Sequence, residues 1–232
     1  MRKILIAILI VLICGYGLFR VIRARNFQFF GELISRVETD EKVIALTFDD
    51  APTKYLDEVL QIMKDEDTVG TFYVIGRNEE RNPGGIQKIM NDGHEVGNHS
   101  YIHPRFAFKS MAFIKDEVDK TNTIIRNSGY SDEITFRPPY GQKFLGLPWY
   151  LDTLGMKTIM WDVEPDTFYK NTEDKIKYTL EKTRPGSIIL LHPFCSTECK
   201  SDREMLPVII QGLKKQGYRF VTISELLDYR NK

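Results

Sequence analysis

From Lys42 onward, short apolar runs alternate with amphipathic stretches, and no long linker interrupts them. The apolar runs have the length and the Val, Ile, Leu and Phe content of strands, whereas the stretches between them have the spacing of helices with one apolar face. The predicted strands cover residues 43–48, 70–75, 95–98, 134–137, 158–163, 187–192 and 219–223. The predicted helices cover residues 55–65, 86–91, 112–127, 147–154, 172–183 and 203–216. This order predicts an α/β domain with a mainly parallel sheet, and about seven such units suit a barrel smaller than the eightfold one.

The N-terminal segment is of a different kind. An uncharged stretch, residues 4–19, is rich in Ile, Leu and Val and lies between Lys3 and Arg20. As a helix it is about 24 Å long, somewhat short of a ~30 Å hydrocarbon core, but the Arg20 side chain can extend towards the headgroups while Val21 and Ile22 lengthen the apolar part. Because no A-x-A arrangement of small residues follows, we predict an uncleaved signal anchor rather than a cleaved signal peptide or a buried core helix. Positive charge at both ends leaves the orientation open.

The chain therefore divides into a transmembrane signal anchor in residues 1–25, a polar linker in residues 26–40 and the α/β domain in residues 41–232. Its 32 basic and 32 acidic side chains give zero formal net charge, which argues against nucleic acid as a partner. A content of 42% hydrophobic and 28% charged residues excludes a disordered chain and a multi-span membrane protein. Three cysteines are too few for a disulfide-dense fold, but we expect Cys195 and Cys199 to pair if the domain lies outside the cytoplasm.

Titratable side chains follow five of the predicted strands at the point where each strand ends. In parallel α/β folds these carboxyl ends meet at one edge of the sheet, where the chemistry of such folds is found. We therefore expect a functional site there. The residues concerned are Asp49, Asp50, His99, Arg137, Asp162, Glu164 and His192.

Two histidines and a pair of aspartates form the first candidate cluster. His99 and His103 are four residues apart, a spacing that brings two imidazoles to one side of a helix or wound loop. A carboxylate would complete a three-ligand metal site with an open position for water. Asp49 and Asp50 repel each other unless a cation lies beside them, so one is predicted to be a ligand and the other a base. The alternative is that Asp50 caps the following helix.

An arginine and a third histidine complete the set. Arg137 precedes two prolines, which stiffen the exit from its strand, and it can hold a carboxylate in a bidentate pair. His192 follows a buried strand and has the side chain best suited to general acid chemistry near neutral pH. The alternatives are a surface arginine in a proline-rich loop and a hydrogen-bonded histidine of the core.

Read together and in this order, the motifs resemble the polysaccharide deacetylases of carbohydrate esterase family 4, the NodB homology domain. The resemblance covers roughly residues 42–228. It rests on TFDDAP at 47–52, HSYIH at 99–103, RPPYG at 137–141, WDVEP at 161–165 and LLH at 190–192. It implies a distorted (β/α) barrel and metal-dependent removal of acetyl groups from N-acetylated sugars, in polymers such as peptidoglycan or chitin.

The resemblance also implies a role for each matching residue. Asp50, His99 and His103 would bind a divalent metal, with Zn²⁺ preferred and Co²⁺ or Ni²⁺ as alternatives. Asp49 would be the general base, oriented by Arg137, and His192 would protonate the leaving amine. The backbone N–H of Tyr140 would bind the oxyanion, and Leu190 would line the groove for the acetyl methyl group. Trp161 and Phe168 would contact the substrate.

The fourth motif departs from the family pattern. The family commonly has D-x-x-D-W, whose first aspartate supports the catalytic histidine, whereas this chain has Glu164 at that position and Phe168 in place of the tryptophan. Glu164, with Asp162 as a competitor, is therefore predicted to support His192, and Phe168 to form part of the pocket wall.

These residues predict a membrane-anchored, monomeric, extracytoplasmic polysaccharide N-deacetylase. Its predicted partners are a polysaccharide or oligosaccharide substrate and the membrane. Two alternatives stay open: a catalytically silent carbohydrate-binding protein of the same fold, and a metal amidohydrolase that acts on a small non-sugar amide.

Overall fold

The computed structural model describes residues 2–194 and 199–230. The predicted Cys195–Cys199 disulfide includes a residue outside these ranges. The described helices are α1 (Arg2–Ile22), α2 (Leu56–Asp65), α3 (Gly76–Arg81), α4 (Gly85–Asn91), α5 (Met111–Asn127), α6 (Gly146–Thr153), α7 (Thr172–Lys182), α8 (Lys200–Lys215) and α9 (Ile223–Leu227), with a 3₁₀ turn at Pro139–Gly141. The described strands are β1 (Leu33–Ile34), β2 (Val43–Ala51), β3 (Thr71–Val74), β4 (Glu95–Asn98), β5 (Thr158–Ile159), β6 (Ile188–Leu191) and β7 (Arg219–Val221).

All ladders between these strands are parallel, which confirms the predicted α/β class. Strand β2 is central: its last half pairs with β3, its middle with β6 and its first residues with β7, while β4 extends the sheet beyond β3. Strands β1 and β5 form a separate parallel pair. Because the central strand is buried on both faces, its side chains read as a nearly continuous apolar run.

The two faces of the sheet enter two separate core clusters. From β2, Ile44, Leu46 and Phe48 pack in the larger cluster with residues of the surrounding helices, whereas Val43 and Ala45 pack in a smaller one. This alternation is the two-residue period of a strand. Thr47 and Asp49 follow at the same two-residue spacing as Val43 and Ala45. The Asp49 side chain therefore lies on the face of β2 that packs in the smaller cluster.

The predicted strand at 134–137 is present only as single parallel bridges from Phe136 to Asn98 and to Thr158. A further bridge joins Val163 to Ile189, so the segment predicted as the strand 158–163 is paired at its two ends only. The Phe136–Thr158 bridge consists of two hydrogen bonds, from the Phe136 N–H to the Lys157 carbonyl at 2.9 Å and from the Ile159 N–H to the Phe136 carbonyl at 2.8 Å. The predicted distorted barrel of about seven parallel strands stays a prediction.

The segment predicted as a linker, residues 26–40, packs against the domain. Leu33 and Ile34 form β1, and the Val37 N–H donates to the Gly186 carbonyl at 2.9 Å. Ile34 and Val37 are 5% and 1% exposed, respectively. Their apolar side chains are buried in the smaller core cluster, and this burial explains why the segment does not extend freely.

Helix α1 is long and apolar enough to cross a membrane. Its mean hydropathy reaches 2.6, and none of that window is buried in the fold. This exposure contradicts the alternative of a buried core helix, since an exposed apolar helix needs a membrane or a partner to cover it.

Candidate active site

A cavity of about 510 Å³ lies where β2 and β6 end. It brings together most of the residues that the motifs singled out. Its lining is Arg23, Arg25, Asp49, Asp50, His99, His103, Tyr140, Gly141, Met160, Trp161, Glu164, Thr167, Leu190 and His192.

The end of β2 turns two adjacent carboxylates towards this cavity. In a regular strand Asp49 and Asp50 would point to opposite faces. The register with β3 shifts between Asp49 and Ala51, and Asp50 has a φ of +73°, so the alternation is broken there. Helix α2 begins with Tyr55 as its N-cap and without a side-chain cap, so Asp50 does not cap it.

Asp50, His99 and His103 form a cluster suited to a metal ion. One ligand atom from each lies within 4.8 Å of the others. The Oδ1 of Asp50 is 3.4 Å from His103 Nε2 and 3.8 Å from His99 Nε2. The same Oδ1 is buried and has no hydrogen-bond partner among the described residues. A buried carboxylate oxygen without a donor is costly, and a cation would satisfy it.

The imidazole of His99 is oriented for such a role. Its Nδ1 lies 2.7 Å from the carbonyl oxygen of Arg137, so Nδ1 carries the hydrogen and Nε2 is left as a ligand. Burial lowers the pKa of both His99 and His103, which keeps the imidazoles neutral. Burial also raises the pKa of Asp50 in the absence of a cation. Neutral imidazoles and one carboxylate are a donor set that Zn²⁺ accepts.

The loops that carry these ligands are conformationally unusual. Besides Asp50, three residues around the cavity have positive φ: Ser100 (+69°), His103 (+60°) and Tyr140 (+58°). Each such non-glycine residue costs of the order of 1–3 kcal/mol, and strain of this kind clusters at functional sites. The loop after β4 is tied back by Asn98 Oδ1, which accepts from the Ser100 N–H at 2.7 Å, and by Ser100 Oγ, which accepts from the His103 N–H at 3.0 Å.

Asp49 is held by a fully buried arginine. Nη1 of Arg137 donates to Asp49 Oδ1 at 2.9 Å and to Thr47 Oγ1 at 2.8 Å. Burial alone would raise the pKa of the Asp49 carboxyl, but its electrostatic interactions with the His99 imidazole and the Arg137 guanidinium outweigh burial and lower it. The other oxygen, Oδ2, is 3.4 Å from His99 Nε2. Asp49 is therefore an ionised carboxylate beside the candidate metal ligands.

His192 is supported by Asp166, not by Glu164 or Asp162 as the sequence predicted. Its Nδ1 donates to Asp166 Oδ2 at 3.0 Å, and Lys175 forms an ion pair with Asp166 Oδ1 at 2.8 Å. Burial lowers the pKa of His192, but the hydrogen bond to Asp166 and the charges of Asp49 and Asp50 outweigh it and raise the pKa to about 9. The imidazole is therefore protonated near neutral pH.

The two acids proposed for that role are occupied elsewhere. Glu164 Oε2 accepts from Arg25 at 2.7 Å, from Trp161 Nε1 at 3.1 Å and from Thr167 Oγ1 at 2.8 Å. Asp162 accepts from the Ile188 N–H at 2.9 Å and from Ser187 Oγ at 3.0 Å, which ties it to the start of β6.

Of the four residues predicted to contact substrate, three line the cavity and one does not. Tyr140, Leu190 and Trp161 line the cavity, with Leu190 and Trp161 nearly buried and Tyr140 half exposed. Phe168 does not line it: its ring is 58% exposed and lies against Tyr178, at a centroid distance of 5.4 Å. The neighbouring Thr167 lines the cavity in its place.

Sequence reasoning missed Asp166, Arg23 and Arg25. Asp166 lies in the fourth motif, between Glu164 and Phe168. The signal that could have identified it is that it is a further acidic residue in this loop. In the sequence, Arg23 and Arg25 have the position of charged residues that flank a membrane helix. Nothing near them in the sequence indicates a contact with residues almost 140 positions away.

Comparison with known proteins points to one family. The family model of the polysaccharide deacetylases matches residues 36–159, more than half of the chain. The chain is 34% identical over 195 residues to the peptidoglycan-N-acetylmuramic acid deacetylase PdaA of Bacillus subtilis (strain 168), which covers 82% of this chain and 73% of that protein.

Solved structures give the same result. The Bc1960 peptidoglycan N-acetylglucosamine deacetylase matches with a TM-score of 0.79 and 27% identity, over 85% of this chain and 94% of that one. BA3943 of Bacillus anthracis, described as a family pseudoenzyme, matches with a TM-score of 0.76 and 33% identity, over 86% of this chain and 70% of that one. The chain belongs to the polysaccharide deacetylase family of enzymes, carbohydrate esterase family 4, as its motifs predicted.

Proposed function

We propose that the protein is a metal-dependent N-deacetylase that hydrolyses the acetamide of N-acetylated sugars in a polysaccharide such as peptidoglycan. The observation that carries the proposal is the shared cavity. Three candidate metal ligands, an ionised carboxylate and a protonated histidine surround one space large enough for a sugar unit. Relatives named as peptidoglycan deacetylases support the choice of substrate class.

Asp50, His99 and His103 would hold the cation, and their donor set favours Zn²⁺, with Co²⁺ or Ni²⁺ as alternatives. A divalent cation there would polarise the acyl oxygen and make water easier to deprotonate. All other steps fall to side chains that the structure describes.

Asp49 is placed to act as the general base. It would accept a proton from the attacking water through Oδ2, while Arg137 holds Oδ1 and fixes the direction of the carboxylate. Arg137 is anchored in turn by Thr47 and by the Ile159 and Met160 carbonyls at 3.3 Å. A buried guanidinium with this many partners cannot rotate away, so the base is preorganised.

His192 is placed to act as the general acid. The sugar amine cannot leave as an anion, so the nitrogen must be protonated as the C–N bond breaks. Asp166 fixes the Nδ1 hydrogen and leaves the other ring nitrogen to deliver the proton. The Tyr140 backbone N–H would donate to the developing oxyanion, and Leu190 would receive the acetyl methyl group.

The test is acetate release by the purified full chain in detergent, from an N-acetylglucosamine oligosaccharide and from peptidoglycan. We expect release that stops on chelation, returns with Zn²⁺ and is absent from Asp49→Asn. Release that is unaffected by chelation or by Asp49→Asn would contradict the proposed site.

A catalytically silent carbohydrate-binding protein is the second candidate, because a relative of 33% identity is described as a pseudoenzyme. The presence of both the base and the supported acid in this chain favours the enzyme. Binding of the oligosaccharide without release of acetate, with metal bound, would favour the silent protein.

We further propose that α1 anchors the protein in the cell membrane as a single-pass helix, with the catalytic domain on the extracytoplasmic side where peptidoglycan lies. The exposed apolar surface of α1 supports this placement. The isolated bridges at Phe136 and Val163 support the distorted barrel of the family.

A further inference from the structure

The chain that leaves helix α1 is fixed directly onto the catalytic domain. The backbone N–H of Lys143 donates to the Ile22 carbonyl, the last residue of α1, at 3.0 Å. The Lys143 ammonium, which is 1% exposed, donates to the carbonyl of Ala24. Arg25 then pairs with Glu164 at 2.7 Å and lies 4.7 Å above the Trp161 ring. No flexible tether therefore separates α1 from the domain.

The active-site cavity begins at the end of this helix. Arg23, which lines the cavity, is the residue that follows Ile22. Consecutive Cα atoms are about 3.8 Å apart, so the wall of the cavity starts one residue beyond the apolar helix. If α1 spans a bilayer, the cavity lies at the bilayer surface and cannot reach far from it.

A cluster of four aromatic side chains, three of them exposed and one half-buried, lies beside the same place. We call Phe27, Phe29, Phe108 and Phe144 the aromatic collar. Phe27 contacts Phe29 at a centroid distance of 5.2 Å, Phe29 contacts Phe144 at 5.9 Å, and Phe144 contacts Phe108 at 5.4 Å. Phe108 is 70% exposed, and Phe27 and Phe29 are nearly half exposed. Phe144 follows Lys143, whose N–H binds the end of α1, so the collar adjoins the helix end.

Exposed apolar surface of this kind has a physical cost in water and marks a contact site. Aromatic side chains are also the residues that membrane proteins and surface-bound helices place at the headgroup boundary. The collar is continuous with the one helix among the described residues that is suited to span a membrane. The surface that would cover the collar is therefore the bilayer that α1 crosses.

We propose that the aromatic collar rests in the headgroup region of this bilayer, so that the active-site cavity opens at the membrane surface. The substrate is then an N-acetylated glycan held at that surface, such as a lipid-linked chain, which a glycan-polymerising reaction at the membrane must supply. The assignment of the substrate rests on the proposed deacetylase function, whereas the docking of the collar does not.

Docking is tested with the full chain in vesicles of phosphatidylethanolamine and phosphatidylglycerol, with and without bromine on the acyl chains. A tryptophan is placed in the collar by Phe108→Trp, and the control is Val208→Trp on α8, a residue of 48% exposure on a helix that packs against α2 and α7. We expect brominated lipid to abolish the fluorescence added by Phe108→Trp and to leave that added by Val208→Trp unchanged. Equal quenching in the two variants, or loss of α1 by cleavage, would overturn the docking.

The substrate assignment is tested by lengthening the connection. A Gly-Ser insertion of about 12 residues between Arg20 and Val21 spans roughly 20 Å on average and frees the domain from the surface while residues 21–25 keep their contacts. The control carries the same insertion between the exposed residues Ser131 and Asp132. The substrates are a soluble N-acetylglucosamine oligosaccharide and the same oligosaccharide on a lipid in vesicles.

We expect the first insertion to lower deacetylation of the lipid-linked glycan and not of the soluble one, and the control to change neither. An unchanged rate on the lipid-linked glycan would overturn the proposal. Absence of acetate release by the unaltered chain from both substrates would overturn the deacetylase function instead, and the quenching experiment would still decide the docking.

Discussion

The imidazole Nδ1 of His192 lies 3.0 Å from Oδ2 of Asp166, and the other oxygen of Asp166 is paired with Lys175 at 2.8 Å. Lys175 is tied in turn to Asp202 at 2.7 Å. These four side chains thus form a series of alternating positive and negative charges that runs from His192 at the cavity to Asp202 on α8. Burial lowers the pKa of His192, but the hydrogen bond to Asp166, with the charges of Asp49 and Asp50, outweighs it and raises the pKa to about 9.

Asp166→Asn should therefore shift the pH dependence of turnover. A hydrogen bond to a charged group contributes about 1.5–3 kcal/mol, which corresponds to a fall of about 1–2 units in the pKa of His192. Because His192 must be protonated to act as the acid, the alkaline limb of the kcat profile should move to lower pH by a similar amount. Glu164→Gln is the control, since Glu164 accepts from Arg25, Trp161 and Thr167 instead. A shift in Glu164→Gln and not in Asp166→Asn would reverse the assignment.

The residues predicted as metal ligands and base lie together in the structure. The sequence indicated this grouping because they stand at or shortly after the ends of strands that a local apolar pattern reveals. It failed for the support of His192. Three acids stand in one loop, at 162, 164 and 166, and which of them reaches the histidine depends on the path of the loop between β5 and α7. That path is set by tertiary contacts, among them the pairing of Glu164 with Arg25, and no local pattern encodes it.

The packing of the predicted linker could not be read from the sequence for a related reason. Residues 26–40 show no period, yet two of them pair with β5 and two are buried. A strand of two residues is too short to give an alternating pattern, so its existence depends on the partner strand.

Asp49→Asn should lower kcat by about 10²–10⁴-fold, the usual contribution of a general base. The amide keeps the shape of the carboxylate but cannot accept the proton. Zn²⁺ content, measured by mass spectrometry of the purified chain, should stay unchanged because Asp49 is not among the three ligands. Turnover within a few-fold of the unaltered chain would remove Asp49 as the base.

His99→Ala should lose bound Zn²⁺ and acetate release together. His99 supplies one of three ligand atoms, so its removal leaves a site of two donors that binds the ion weakly. His94→Asn is the matched control, because His94 is also a buried histidine but lies at the start of β4, away from the cavity. Retention of Zn²⁺ by His99→Ala with loss by His94→Asn would contradict the ligand set.

Gly186→Ala should destabilise the fold severely. A Cβ at this position would lie 1.8 Å from the Val37 carbonyl oxygen, and Gly186 has a φ of +75°. Relief of this clash would require the backbone segments at Val37 and Gly186 to move apart, which would break the hydrogen bond from the Val37 N–H to the Gly186 carbonyl. We expect a loss of about 4 kcal/mol or more in the free energy of unfolding, the range of the most disruptive substitutions.

Gly84→Ala is the control for Gly186→Ala, because it introduces the strain of a positive φ without a steric clash. Gly84 has a φ of +85°, but a Cβ there would meet nothing within 4 Å. Its cost should be the strain of a left-handed residue alone, about 1–2 kcal/mol. Similar losses in the two variants, measured by denaturant unfolding, would show that the contact between residue 37 and residue 186 does not hold the segment to the domain.

Truncation should reveal where the catalytic domain begins. The sequence placed the end of the membrane anchor at residue 25, but a chain that starts at residue 26 lacks Arg25 and the two carbonyl groups that Lys143 binds. Burial lowers the pKa of Lys143 to about 8, and without an acceptor its ammonium becomes a buried unpaired donor, which costs about 1–3 kcal/mol. Glu164 loses its ion pair at the same time.

A chain that starts at residue 21 keeps all of these contacts and lacks most of the apolar helix, so it is the matched control. We expect it to unfold at a higher temperature than the chain that starts at residue 26. We also expect it to deacetylate a soluble oligosaccharide with a lower KM, because Arg23 and Arg25 still line the cavity. Equal melting temperatures and equal KM values would show that residues 21–25 are only a spacer. A difference in both would place the domain boundary inside the segment that leaves the membrane helix, and would make that segment part of the active site.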